Sequence, residues 1–341
     1  MLLFDAEKYG DPSYWAVSPD VTQREYADNG FSAGWGAHFP PIEDHFFDAH
    51  CHMLNVGDEQ YESLLSSFLQ HAHNNRVRRH ALIIHYADEP FKGDKSMTFE
   101  KFAQFYGKIT QHKNICTYLY MHYTRPDIKL LEACHALGIR GIKLHNAPLI
   151  CDAASPAVYQ SPEWQACFDY IQLHKLPILW HVVQRKSAST YTGSPAMSFW
   201  REGEQKNIQY GNEQLLSAFL DIVERYPSIP FIAAHQLHLS FGHLTELFER
   251  YDNLYSDTTV GCTIDTYDSI PLPYRIYYHE VFETYADRLL FGTDTIMSQE
   301  SLEWADDVYK MHIRFLKQIF LTQDTLDKVA WKNSDRLFGG A

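Results

Sequence analysis

Two histidines one residue apart close a short apolar run, "FFDAHCHMLN" at residues 46–55. Alternate side chains of a strand share a face, so His50 and His52 point the same way and Asp48 points with them. Two imidazoles converging from one strand end make half of a metal site. The chain holds 19 histidines, so only the arrangement of several can carry such a reading. Four more apolar runs end in groups of the same kind. "RGIKLHN" (140–146) carries Lys143 and His145, "LPILWHVV" (176–183) carries His181, "PFIAAHQ" (230–236) carries His235, and "RLLFGTD" (288–294) closes on Asp294. Imidazoles with one carboxylate and no thiolate suit Zn²⁺, and the same cage accepts Mn²⁺, Fe²⁺ or Co²⁺. An open coordination position lowers the pKa of a bound water towards ~7. Asp294 is placed to bind through one oxygen and to accept the water's proton through the other.

The elements that position these groups alternate along the chain. Strands are expected at 46–52, 81–86, 115–122, 140–146, 176–183, 230–236, 253–259 and 288–294, with segments of helical period between them. Thr98 caps "FEKFAQFYGKI", Pro162 stands in the first turn of "SPEWQACFDYIQLHK", and Ser298 caps "QESLEWADDVYKMHIRFLKQIF". A last helix, "TQDTLDKVAWKNSDRLFG", starts at Thr322 and stops at Gly339. Near-continuous apolar strands, each followed by a helix, make a parallel sheet covered by helices, and about eight such units close as an α/β (β/α)₈ TIM barrel. Strand C-terminal ends converge at one mouth of such a barrel. No glycine-rich phosphate turn follows the first strand, which argues against an open doubly wound sheet. Long loops are expected at 147–160, 184–210 and 260–272. Residues 1–45 lack clear period and read as an irregular N-terminal extension packed on one barrel domain, 46–341.

A chain of 341 residues, 45% hydrophobic, can bury a barrel-sized core. A net charge of −14 argues against nucleic-acid and anionic-membrane partners. The six cysteines form no CxxC pair, the N-terminus has no apolar core of signal-peptide length, and no apolar stretch approaches the ~20 residues that span a bilayer. These features lead us to expect a cytoplasmic protein with free thiols, acting on a small molecule; a homo-oligomer is compatible with them.

Taken together, "DAHCH", "GIKLH", "WH", "AAH", "LLFGTD" and the closing "DKVAWKNSDRLFG" resemble the amidohydrolase superfamily, in its amidohydrolase-2 branch. The resemblance covers roughly 46–339 and implies a barrel holding one or two divalent ions. It implies His50, His52, His181 and Asp294 as metal ligands, with His235 binding a second ion or polarising the substrate. Lys143 stands where two-metal members carry a carboxylated bridging lysine. The chain departs from the branch at "GTDTIM" and "HNAP". The branch contains hydrolases and non-oxidative decarboxylases on one cage. A metal-dependent hydrolase of a C–N or C–O bond in a small polar or anionic molecule is the leading expectation. A lyase decarboxylating an aromatic or enoic acid is the alternative. Arg185, Arg125 and His145 are candidates for substrate binding, with His122, His238 and His243 as further histidines of the mouth or its loops.

Overall fold

The computed structural model describes residues 45–53, 61–84, 98–109, 111–184, 195–239, 241–259, 272–297 and 302–339. The extension 1–44, the Ser298 cap and Arg185 lie outside the described residues. The parallel strands are β1 (Phe46–Met53), β2 (Val77–Ile84), β3 (Ile115–Tyr120), β4 (Gly141–His145), β5 (Ile178–His181), β6 (Phe231–Ala233), β7 (Leu254–Asp257), β8 (Leu289–Leu290) and β9 (Thr295–Met297). They lie in the order β8-β7-β6-β5-β4-β3-β2-β1-β9, each paired with its neighbour in parallel.

The expected eighth strand is split. β8 pairs with β7 and β9 pairs with β1, and 291–294 between them is irregular. That irregular stretch still closes the ring. Ala49 N donates to Phe291 O at 2.9 Å, Asp294 N donates to His50 O at 2.7 Å, and Thr258 N donates to Leu290 O at 2.9 Å. The chain therefore forms a (β/α)₈ barrel whose seam runs between its first and last strands, at the residues singled out from sequence.

Helices begin where their caps require. Asp127 accepts from Leu130 N ahead of the helix Ile128–Leu137, and Ser161 accepts from Trp164 N ahead of the helix Pro162–His174, whose first residue is the expected proline. Thr98 Oγ1 accepts from Lys101 N at the start of the helix Phe99–Ile109. The closing helix starts at Thr322, passes through a π-turn at Lys328–Lys332 and ends at Gly339, with φ at +75°.

Two apolar layers follow from strand alternation. Phe47, Ala81, Ile83, Tyr118, Tyr120, Leu179, Ile232 and Leu290 fill the inside of the barrel. Phe338 of the closing helix joins them, 5.6 Å from Phe47 and 5.4 Å from Tyr118 between ring centroids. Leu82, Ile84, Leu119, Ile142, Leu144 and Ile178 face the helices instead. Each such fully buried side chain contributes about 1.5–3 kcal/mol of transfer free energy. Among the described residues no helix is long and apolar enough to cross a membrane.

A histidine interrupts the outer layer. His80 of β2 is buried against Phe68, ring centroids 5.2 Å apart, and neither ring nitrogen has a hydrogen-bond partner. Burial pushes its pKa down to about 3. The folded chain therefore refuses a proton that the unfolded chain accepts below its ordinary 6.5, and stability falls as pH drops from 6.5 towards 3. His80→Leu should remove that share. Urea unfolding at pH 7 and pH 5 should show the variant losing about 2 kcal/mol less than the parent over this interval. Equal losses in both proteins would refute the assignment.

Candidate metal centre

The strand ends converge as the barrel requires. His50 and His52 face the same side of β1, their Nε2 atoms 3.0 Å apart. Asp294 Oδ1 reaches both, at 3.2 Å from His50 Nε2 and 2.8 Å from His52 Nε2. These three are the group whose ligand atoms all lie within 4.8 Å of one another among the described residues. Lys143 Nζ stands 3.2 Å from His50 Nε2. His235 Nε2 lies 3.6 Å from Asp294 Oδ2, the oxygen turned away from β1. His181 packs against His235 at 4.7 Å between ring centroids, with a buried Nε2 that has no hydrogen-bond partner. His145 stacks on His181 at 4.3 Å, as their pairing in the β4–β5 ladder requires.

Asp48 does not join them. β1 is irregular between Asp48 and Cys51, which turns the Asp48 carboxylate to the seam. There it accepts from Thr293 Oγ1 at 2.6 Å, Thr293 N at 3.1 Å and His50 N at 3.1 Å. Burial drives its pKa up to about 7 against those bonds.

His235 is also not on a strand. β6 stops at Ala233, and residues 235–238 all take left-handed φ, from +53° to +57°. Four such non-glycine residues in sequence cost on the order of 1–2 kcal/mol each. The turn is held by the end of β7. Asp257 Oδ1 accepts from His235 N at 2.9 Å, and Gln236 Nε2 donates to Asp257 O at 2.7 Å and Thr259 O at 3.0 Å. His238, one turn on, stacks on His235 with rings 5.3 Å apart and 8° from parallel. Asp294 is left-handed too, at φ +57°.

Sequence reading passed over Asp257. The run "NLYSDTT" ended in a carboxylate like the other strand ends, and that was the available signal. Its Oδ2 lies 2.7 Å from His50 Nδ1, both side chains fully buried. Asn146 was passed over as well. It donates to Val182 O at 2.8 Å and accepts from Tyr159 OH and Trp180 Nε1, each at 3.1 Å, tying the ends of β4 and β5 together where "HNAP" departs from the branch. Arg125 lies half-buried in the turn after β3, with its backbone N–H bonded to His122 O at 2.8 Å. His122 is buried and bonded through Nδ1 to Thr124 Oγ1 at 2.8 Å, and His243 lies on the helix Phe241–Arg250.

The electrostatics suit a cation. Burial, helped by the Lys143 charge, pushes His50 down to about 3, and burial pushes His52, His145 and His181 down as well. The imidazoles are neutral and can ligate. Burial pushes Asp294 up, but His50, the His52 hydrogen bond and His235 outweigh it and hold the carboxyl well below its usual range. Burial brings Lys143 down to about 8 despite Asp294 and Asp257. Neutral imidazoles, an ionised carboxylate and an orphaned His181 nitrogen are a donor set that fits a divalent ion.

The family described as amidohydrolase matches residues 124–340. No curated protein matches the chain by sequence. Its fold is similar to that of a 2,6-dihydroxybenzoate decarboxylase in complex with 2,6-dihydroxybenzoate (14% identity, TM-score 0.55, 86% of this chain and 99% of that one). It is similar to a dihydroxybenzoic acid decarboxylase from Polaromonas sp. JS666 carrying manganese and 2-nitroresorcinol (14%, TM-score 0.53, 86% and 97%). It is also similar to a dihydroorotase from Campylobacter jejuni (15%, TM-score 0.54, 86% and 83%).

Gly292 lets the seam close beside this cluster. A Cβ there would meet Asp257 Cβ at 3.0 Å, His50 Cβ at 3.1 Å and Thr259 Cγ2 at 3.3 Å. Gly292→Ala should cost about 1–3 kcal/mol in urea unfolding, as overpacking does. It should also weaken Zn²⁺ binding in a chelator competition, because His50 is one of the atoms displaced. Unchanged affinity would show that the seam does not position the cluster.

Proposed function

The chain belongs to the amidohydrolase family, and on that footing we propose that it is a metal-dependent hydrolase of a C–N or C–O bond in a small polar or anionic molecule. The observation that carries the reading is the division of the Asp294 carboxylate. Oδ1 sits with His50 and His52 while Oδ2 is turned to His235, on a side chain 32% exposed at the mouth.

His50, His52 and Asp294 would hold the ion, with His181 as the fourth ligand through its unpartnered Nε2. Zn²⁺ suits the set best, and Mn²⁺ fits the same donors. A divalent ion bound there supplies Lewis acidity, acidifying water and polarising a carbonyl. Asp294 takes the proton of the attacking water at Oδ2. His145 accepts from Ala147 N at 2.9 Å through Nδ1, so the neutral ring carries its proton on Nε2 and can donate it to a substrate oxygen. Lys143 either neutralises an anionic substrate or, as a carbamate, would join His235 in holding a second ion. Arg125 and Arg185 are further candidates for binding an anionic group. Cys51, Cys116, Cys134 and Cys167 are free thiols, which fits a reducing, cytoplasmic setting.

Decarboxylation is the second reading. It is favoured by a buried cation inside the cage, Lys143, which can balance a substrate carboxylate, and by the decarboxylases among the similar structures.

Elemental analysis should find divalent metal in the purified protein and none in a His50→Ala, His52→Ala double variant. Full metal in that variant would sink the ligand assignment. A screen of esters, lactones, amides and carboxylates in ¹⁸O-labelled water then separates the two reactions. Hydrolysis places label in the organic product, whereas loss of CO₂ that leaves the organic product unlabelled favours the lyase. On the substrate found, Asp294→Asn should lower turnover per bound ion by ~10²–10⁴. Normal turnover per ion would rule out Asp294 as the base.

A further inference from the structure

We propose that Asp257 is a positioning residue that sets the tautomers of two histidines beyond its own strand, His50 of β1 and His235 of the turn after β6, so that both turn an Nε2 lone pair into the site. Its consequence for the ion rests on the metal reading above; the tautomers themselves do not.

The argument is a count of protons on a buried network. Asp257 is fully buried, and an ionised carboxylate only accepts. Its Oδ2 lies 2.7 Å from His50 Nδ1, so that nitrogen is the donor and Nε2 keeps its lone pair. Its Oδ1 accepts from His235 N at 2.9 Å, from Thr259 Oγ1 at 2.7 Å and, at the long end, from Thr259 N at 3.4 Å. The Thr259 hydroxyl has one proton, and Asp257 takes it. The contact between Thr259 Oγ1 and His235 Nδ1, at 3.1 Å, must then have the imidazole as donor. The neutral His235 ring carries its proton on Nδ1, with an unprotonated Nε2 on the side of Asp294.

His145 is fixed the other way by the Ala147 backbone N–H. The mouth is therefore divided. His50 and His235 are acceptors or ligands, and His145 is the donor. A neutral His235 can take a proton or bind an ion but cannot donate to a substrate oxygen. Polarisation by a neutral ring falls to His145.

Asp257→Asn tests this. Three donors converge on the Oδ1 position, so the amide oxygen takes that side and the amide NH₂ faces His50 Nδ1. His50 must then accept there, and its proton moves to Nε2, where it blocks ligation. Asp257→Ala removes the acceptor but forces nothing. Zn²⁺ alone, titrated against a chromophoric chelator, should bind in the order parent, Ala, Asn, with the Asn variant 10–100-fold below the parent. A purely structural role gives the reverse order of the two variants, because Asn keeps the shape. Imidazole ¹⁵N shifts of the metal-free protein, assigned with His50→Gln and His235→Gln, should show protonated Nδ1 on both rings. Thr259→Val should release only His235, and this arm decides the matter even where an Asp257 variant fails to fold. A proton on His50 Nε2 in the parent, or an Asn variant binding Zn²⁺ as tightly as the Ala variant, overturns the proposal. A parent with both Nδ1 protons but no affinity for Zn²⁺ overturns the metal reading and leaves the Asp257 assignment standing.

Discussion

A carboxylate cut off from water must be satisfied by protein donors or it cannot stay charged, and Asp257 meets that condition at the centre of the mouth. Burial alone would raise its pKa, yet the hydrogen bond from His50, the neighbouring imidazoles and the Thr259 hydroxyl bring it below the ordinary value. Those donors come from β1, the turn after β6 and the end of β7 itself. One charge thus fixes the relative placement of three strand ends. Gly292 permits it, because a Cβ there would press on Asp257 and His50 at 3.0 and 3.1 Å and push them aside.

The same network supports backbone that would not stand alone. His235, Gln236, Leu237 and His238 are all left-handed, and so is Asp294. Such strain survives where surrounding bonds over-determine it, and it concentrates at sites that need an exact presentation of side chains. Here the turn after β6 hangs on Asp257 and Thr259, and Leu237 is anchored in the core. Asp294 hangs on β1 through its own N–H to His50 O and through Thr293, gripped by Asp48. The two groups that flank the open side of the cluster are the two whose backbones are held in this way.

This explains what was legible in the sequence. Local periodicity gave the helices and strands, and the polar residue closing each apolar run located the mouth. His50, His52, Lys143, His145, His181 and Asp294 were all readable on that basis. The left-handed turn was not, since nothing in "AAHQLH" favours it and its cause lies on β7, more than twenty residues away. The turn of Asp48 away from His50 was hidden for a similar reason. Alternation assumes a regular strand, and β1 is irregular at that point because the seam supplies Thr293 as a partner. The break in the eighth strand follows from the same crowding. Asp257 was visible as a strand end but had no local feature to mark it, because its partners are assembled only by the closed barrel.

Lys143 is the element that sets the terms for any cation at this site. Its ammonium lies 3.2 Å from His50 Nε2, the lone pair that Asp257 directs inward. A divalent ion and a charged Lys143 compete for that nitrogen, so entry of the ion requires the lysine to swing away or to lose its proton. Burial has already lowered its pKa to about 8. Deprotonation at pH 7 then costs only about 1.4 kcal/mol, and a divalent ion beside it lowers the value further. A lysine at its ordinary pKa of 10.5 would cost several times more. The neutral amine that results is the form that combines with CO₂ to give a carbamate, whereas a charged one is the form that binds a substrate carboxylate. Burial thus leaves Lys143 close to the boundary between the two forms.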